Sequence, residues 1–429
     1  MNKSLVIPIA IITCLVLAGL AYWYFFFYGA GKPTVALTSP GQQSVSGFAP
    51  LNSNSTNRTG SSTPSSLSNT PVSIQPSTVR IATLRMISGT PVGGYSASTS
   101  ASTTIVRWID RGRGNVYELS LASETVATLS NTILPRMYES VWNKNLTAFV
   151  GSIFSSKIDT PTTLYAQLKA QDPSAAASNK NSVGTTPFQL KGNNLQDNIV
   201  AFAASPKGDK LFTLVNENGA GVGYISNFDG SSMARLFSTP LIQVNVEWTE
   251  TNTIAITTKG SAGQPGYLYF VNTKTGIWKK ILGPIAGLST RTSHDAHYVL
   301  ASSANNDQNV DTAIYTVSSG SFSSAVFRTL ADKCAWGNLN MNSVYCAVPS
   351  QPVSGTYPDD WYTGTLSTID KIWKLNAGTG EINLVSTIVD KSDRVIDAFN
   401  LKLDPQDGYL FFMNKNDLSF WSYDLSASH

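Results

Sequence analysis

Cys334 and Cys346 are the residues whose spacing points most directly to chemistry. They flank the turn-forming run Asn338-Leu-Asn-Met-Asn342, and each stands six residues from Asn340. In a regular antiparallel hairpin they would face each other, with Cα atoms about 4.5 or 5.5 Å apart, both within disulfide reach. The alternative is two buried free thiols. A disulfide would imply an oxidising compartment. A second group is the segment holding Tyr357, Asp359, Asp360, Trp361 and Tyr362. Flat rings beside two carboxylates on a loop suit contact with a glycan or peptide, because rings stack and acids accept hydrogen bonds. In the competing reading, Trp361 and Tyr362 only cap packed strands. His294 and His297 are three residues apart, a metal-pair spacing if helical, but they fall in a turn with Asp295 as the one acid nearby. No metal and no cofactor are expected from them. The chain contains no Gly-x-Ser-x-Gly elbow, HExxH or phosphate loop, which disfavours a hydrolase. A carboxylate pair brought together from distant residues could still cleave glycans, and no linear pattern would reveal it.

The composition sets bounds on what could position these residues. The 429 residues are ample for a large core. Only 13% are charged, against roughly 25% in an ordinary soluble domain. Ser, Thr, Asn and Gly take their place, as in many exported β-rich chains. A formal charge of +3 with no basic cluster excludes a nucleic-acid footprint.

Residues 1–32 read as a signal anchor. Leu5 to Tyr28 is a run of 24 uncharged residues, about 36 Å long as a helix and enough to cross a bilayer. It ends on seven consecutive aromatics, Tyr22 to Tyr28, the belt expected at headgroups. Cleavage after Ala21, as in a signal peptide, would leave a sticky aromatic N-terminus, so the uncleaved anchor is expected. Cys14 is mid-span and follows Thr13, which argues against lipidation. Residues 33–79 are rich in Ser, Thr, Pro and Asn, and Arg58 is the one charge. Such a stretch cannot offset its ordering entropy and reads as a disordered linker. Its reach is about 35–40 Å as a coil.

From residue 80 onward a unit recurs. It opens on a strand such as Leu84–Ser88, Val126–Ser130, Ala234–Ser238 or Lys279–Gly283. A second strand follows, often with a Trp (Trp142, Trp248, Trp336), and then a polar turn and an apolar third strand. A fourth carries aromatics such as Tyr117, Tyr269, Tyr315, Trp373 and Trp421. Opening strands near 84, 126, 188, 234, 279, 327 and 382 give a count of seven four-stranded blades, with six or eight left open because two units are stretched by insertions. The chain begins with what is elsewhere an outermost strand and ends three strands into its last unit. Residues 80–88 should therefore pair with the final blade and close the ring, removing sheet edges. Two insertions interrupt the period: 155–186, which reads as a solvated loop, and 350–367, which carries the aromatic-acid segment.

Ser205-Pro206-Lys207-Gly208 and Asp404-Pro405-Gln-Asp407-Gly408 each precede an apolar strand, and Ser293-His294-Asp295-Ala296 is a decayed copy. These turns resemble the Ser/Asp-Pro-Asp-Gly turn of TolB-like and WD-repeat-like β-propellers. The chain is also similar to uncharacterised membrane-anchored propellers of small-genome uncultured bacteria, in the segments Pro358–Tyr362 and Tyr345–Pro349. The resemblance covers 80–425 and implies propeller architecture with a binding or scaffold role; fold alone does not settle function.

The expectation is an all-β propeller at 80–429, held outside the cytoplasm by an anchor in the lipid bilayer. It would be non-enzymatic and bind an unidentified protein or glycan, with no nucleic acid. A glycan-cleaving enzyme and a structural envelope spacer are the alternatives. If the anchor is uncleaved, the protein stays with membranes after carbonate extraction and runs at full length. A released chain beginning near Tyr22 would establish a signal peptide instead.

Overall fold

The computed structural model describes residues 83–100, 103–154, 161–171, 187–304, 310–388, 392 and 394–426. The anchor (1–32) and the whole of the linker (33–79) lie outside them. Among the described residues no helix is long and apolar enough to cross a membrane.

These residues form seven four-stranded antiparallel sheets arranged as the blades of a propeller. Blades 1 to 6 occupy 92–130, 137–194, 199–239, 244–286, 289–324 and 334–386. Blade 7 combines 398–424 with Leu84–Ser88, so the two ends of the domain meet in one sheet. Leu84 lies opposite Tyr423, Arg85 opposite Ser422 and Met86 opposite Trp421. The expected closure is present.

First strands of neighbouring blades pack together at most junctions, as Met137–Trp142 does against Val92–Ser100 and Cys334–Trp336 against Ala398–Leu403, and they line the axis. Strands alternate in direction, so connections between second and third strands, and those from one blade to the next, emerge on one face. The tight turns between first and second strands emerge on the other. These are called below the insert face and the turn face.

A sheet in this arrangement is covered on both sides, which explains the near-continuous apolar second strands. Leu211–Val215, Ile254–Thr257 and Leu410–Asn414 are buried at every position. Seven separate core clusters result, one between each pair of neighbouring blades. Trp142, Phe149 and Met137 fill the space between blades 1 and 2. Tyr95, Trp108 and Phe420 fill that between blades 7 and 1.

The turn motif acts through its first side chain. Asp404 Oδ1 accepts from the N–H groups of Gly408 and Tyr409 at 2.7 and 2.8 Å. Ser205 Oγ does the same for Asp209 and Lys210, and Ser293 Oγ accepts from Tyr298. Asn143 is a further copy, accepting from Thr147 and Ala148. Asp407 serves the neighbouring blade, taking the N–H groups of Asn338, Leu339 and Asn340. The motif is thus structural: it satisfies turn donors that the sheets leave over.

Cys334 and Cys346 are direct register partners on the first two strands of blade 6. They form a disulfide with Cα atoms 4.1 Å apart, buried in the core between blades 5 and 6.

Two expectations need correction. The outer strand of blade 5 is Ser321–Ser324 rather than 327–330. Phe327 and Leu330 are apolar because they bury under the crossing to blade 6, beside the turn of 3-10 helix Ala331–Lys333. The supposed solvated loop 155–186 contains the strand Thr162–Ala170, the third of blade 2. Its Leu164, Ala166 and Leu168 alternate inward, a period-2 signal hidden by flanking polar sequence.

Ring closure is testable by truncation. A chain starting at Thr78, the boundary of the compact unit, should fold. One starting at Gly89 loses the outer strand of blade 7, with buried Leu84 and half-buried Ile87, each worth about 1.5–3 kcal/mol when fully buried. It should melt at a clearly lower temperature or aggregate through the exposed edge. Equal melting temperatures would refute a closing role for this strand.

Candidate functional site: the axial channel and its cover

The insertion of blade 6 arises between its second and third strands and therefore lies on the insert face. It carries one short helix, Asp359–Thr363, stopped by Gly364 at φ 82°. Tyr357 and Trp361 point inward and form a small core with Val310 and Leu330 of the blade 5 region, packed by Phe399 of blade 7. Tyr357 is fully buried, and burial pushes its hydroxyl far above the ordinary phenol range. Asp359 Oδ2 accepts from the Ala262 N–H of blade 4 at 2.7 Å. Asp360 Oδ2 accepts from Thr356 N–H within the insertion. The insertion thus arches from blade 6 over blade 5 to blade 4.

Beneath Trp361 lies a charged cluster with no exposure. Lys333, Asp370 and Asp397 side chains are each wholly buried. Lys333 Nζ donates to Thr368 Oγ1 at 2.6 Å and to Asp397 Oδ1 at 2.6 Å, and stands 2.8 Å from Asp370 Oδ2. Trp361 Nε1 donates to both Asp397 oxygens, at 3.1 and 3.2 Å. The Trp361 ring also lies 5.5 Å from Lys333 Nζ and 5.0 Å from Lys415 Nζ. Burial raises the Asp370 carboxyl above the usual range; Lys333 counters this in part and Asp397 adds to it. At Asp397 burial also opposes ionisation, but Lys333, Trp361 and the Thr368 N–H outweigh it and hold the carboxyl low. One ammonium serves two acids, and the shifts run in opposite directions because Asp397 gains more from Lys333, Trp361 and the Thr368 N–H than burial costs it. This cluster anchors the insertion rather than facing a ligand.

Of the five aromatic and acidic positions singled out in the sequence, only Tyr362 reaches toward the axis. Its hydroxyl donates to Asp332 Oδ2 at 2.5 Å, and Ser289 Oγ donates to the same oxygen at 2.6 Å. Enclosure of the hydroxyl, reinforced by the Asp332 charge, raises the Tyr362 phenol. Tyr357 and Trp361 offer no face to a ligand here, and Asp359 and Asp360 are engaged with backbone donors.

Asp332 opens onto the axial channel, where polar side chains of the first strands converge. The half nearer the insertion is a cavity of about 240 Å³ lined by Glu139, Asn245, Lys259, Thr290 and Asp332. Glu247 and Arg291 stand at its floor and also line a second cavity of about 320 Å³ toward the turn face, with His294, Asn338, Asn400 and Lys402. Arg291 and Glu247 pair at 2.6 Å, and Glu247 also takes the Thr292 N–H. Desolvation works against the Arg291 charge, but Glu247 and Asp332 outweigh it and raise its pKa. Desolvation raises Glu139, with Lys259 opposing. Lys402 is lowered to about 8, first by desolvation and then by Arg291. His297 lies outside both cavities and packs edge-on against Tyr298. Among the described residues no group of three metal-ligating side chains occurs.

The channel residues were missed in the sequence, although Glu139, Glu247 and Arg291 each fall on a first strand. Charged residues inside those strands were the available signal, since the strands are otherwise apolar or small. Lys402 was less legible because a register shift between Phe399 and Lys402 sets its direction.

No protein-family model matches the chain, and no curated protein is similar to it in sequence. Among solved structures, TolB from Acinetobacter baumannii aligns at 12% identity and TM-score 0.39, over 73% of this chain. The chain spans 60% of the length of that protein. Oligogalacturonate lyase from Vibrio parahaemolyticus aligns at 10% identity and TM-score 0.47, over 75% of this chain and 86% of its own. The β-propeller domain of the Trilobed protease from Pyrococcus furiosus gives 10% and 0.47, over 77% and 94%. At these identities and scores nothing about activity transfers to this chain.

The anchoring of the insertion has a measurable consequence. Lys333→Met leaves two buried carboxylates without their cation and should cost about 3–5 kcal/mol in denaturant unfolding. Trp361→Phe keeps most of the ring contact but removes the donor to Asp397, at about 1.5–3 kcal/mol. Stabilities within error of the parent for both variants would show that the cluster does not hold the insertion.

Proposed function

We propose that this chain is a non-enzymatic binding module. Its propeller receives part of a protein or glycan partner in the axial channel, and an N-terminal anchor holds it to the outside of a membrane. The observation that carries the reading is the channel itself: charged and amide side chains of several blades converge in open space inside a ring that packing holds rigid. Such convergent polar groups in a concave, pre-formed site suit recognition. The Cys334–Cys346 disulfide supports an oxidising compartment, and the 24-residue uncharged run supports the anchor. Kinship with membrane-anchored propellers of uncultured bacteria, read from Pro358–Tyr362 and Tyr345–Pro349, is part of the same proposal.

Binding is preferred to catalysis because two of the channel acids are already committed. Glu247 is held by Arg291 and the Thr292 N–H, and Asp332 by Ser289 and Tyr362. Cleavage of a glycan would call for a second carboxylate free to act opposite Glu139.

The test fills the channel without entering the core. Val200 and Asn245 are exposed on the channel wall, and Val200→Trp with Asn245→Trp places two rings in the space. The full chain and this variant are presented to a glycan array and to solubilised envelope proteins. The parent should retain a defined partner that the filled variant loses at unchanged melting temperature. A partner retained equally by both would move the binding surface elsewhere, and turnover of a glycan would replace this reading with the enzymatic one.

A further inference from the structure

The turn-face half of the channel differs in charge from the half beneath the insertion. Glu139 and Asp332 belong to the insert side. Lys402 and His294 belong to the other, and Glu247 and Arg291 stand at the junction. Lys402 makes one hydrogen bond, to the Tyr95 carbonyl at 3.0 Å, and stands 4.9 Å above the Tyr95 ring. Among the described residues no carboxylate lies within ion-pair distance of it. Arg291 uses one terminal nitrogen on Glu247, while its Nε is buried with no acceptor. Two cations with unused donors therefore line one cavity of about 320 Å³.

The direction of Lys402 is built in. Asn400 holds a left-handed φ of 50°, and the register shift beside it makes a bulge in the first strand of blade 7. The Tyr95 hydroxyl pins that bulge, its one proton shared between the Asn400 carbonyl and, at 3.0 Å, that of Phe411. A bulge re-aims the side chains that follow it, and here it sends a lysine into the channel wall rather than an apolar residue. Leaving that ammonium without a counter-charge is costly in a partly desolvated site, which is the state expected of a position awaiting an anion.

We propose that the turn-face half of the channel is a subsite for a small monocarboxylate, whose acid group lies between Lys402 and Arg291. The charges select a single negative charge: Lys402 and Arg291 supply two positive and Glu247 one negative, so a dianion such as phosphate would face Glu247 with half its charge unmatched. Asn338, Asn400 and His294 supply the polar wall for a neutral body attached to the acid. The titratable and charged groups that share this cavity with Lys402 are Arg291 and His294 from blade 5 and Glu247 from blade 4, with the Tyr95 ring of blade 1 beneath it; burial first, and then Arg291, lower the Lys402 pKa. The proposal rests on the channel as the binding site but makes a narrower claim about it.

The experiment is calorimetric titration of the full chain with D-glucuronate and with N-acetylglycine, each beside its neutral counterpart, glucose and N-acetylglycinamide. At least one acid should bind roughly tenfold or more tightly than its counterpart, and the one that does identifies the body carried by the acid. Inorganic phosphate should bind more weakly than that acid. Affinity should be full well below pH 8, be about halved near pH 8, and fall by roughly tenfold per pH unit well above it, as Lys402 loses its proton. Lys402→Met should weaken binding roughly tenfold or more. Glu247→Gln removes the competing charge and should strengthen it, a gain that structural damage would not produce. Acids no better than neutral counterparts, or an unchanged affinity in Lys402→Met, would overturn the proposal. So would weaker binding in a folded Glu247→Gln protein. Loss of a partner on filling the channel, without any preference for acids, would leave the binding module standing and remove only this subsite.

Discussion

Burial between neighbouring sheets is the constraint on which the rest of this structure depends. No blade has a core of its own; each apolar cluster is shared by two blades, so every sheet is stable only while both neighbours are present. The arrangement has no natural end except closure, and Leu84–Ser88 supplies it by joining the sheet that the chain completes at Asp424. Closure also supplies the fourth strand of blade 7 and so covers the edge that Phe420–Asp424 would otherwise expose. The rigidity that follows leaves the axis as the place where the first strands can present polar groups without disturbing packing.

Charge is used in two different ways around that ring. At the crossing between blades 6 and 7, Lys333, Asp370 and Asp397 are sealed from water and satisfied by one another, by Thr368 and by Trp361. A buried ion cluster of this kind is weak evidence of net stability. What it does here is hold the insertion in one position, because Trp361 is both a hydrogen-bond donor to Asp397 and a ring in cation-π range of two ammoniums. Through Tyr362 and Asp332 that position extends to the channel mouth. In the channel the charges are wetter and less completely matched. Arg291 is paired yet keeps a free Nε, and Lys402 has only a backbone carbonyl and a ring.

Much of the architecture was determined by the sequence alone. The order of strands within a blade, the closing strand and the facing cysteines all follow from local periodicity, which is written directly in residue order; the period narrowed the blade count to six to eight, and the structure sets it at seven. The turn motif was equally legible, since Asp404 and Ser205 act on donors only four and five residues away. The errors arose where local pattern and burial part company. Phe327 and Leu330 are apolar for a crossing rather than a strand, and Thr162–Ala170 is a buried strand set in polar surroundings. The site belonged to tertiary structure. Tyr357 and Trp361 looked available because a loop rich in rings and acids gives no sign of which face is covered, and their cover comes from Val310, Leu330 and Phe399. The channel brings together Glu139, Glu247, Arg291 and Lys402, which are separated by up to hundreds of residues in the chain but meet because closing a ring points every first strand at one axis.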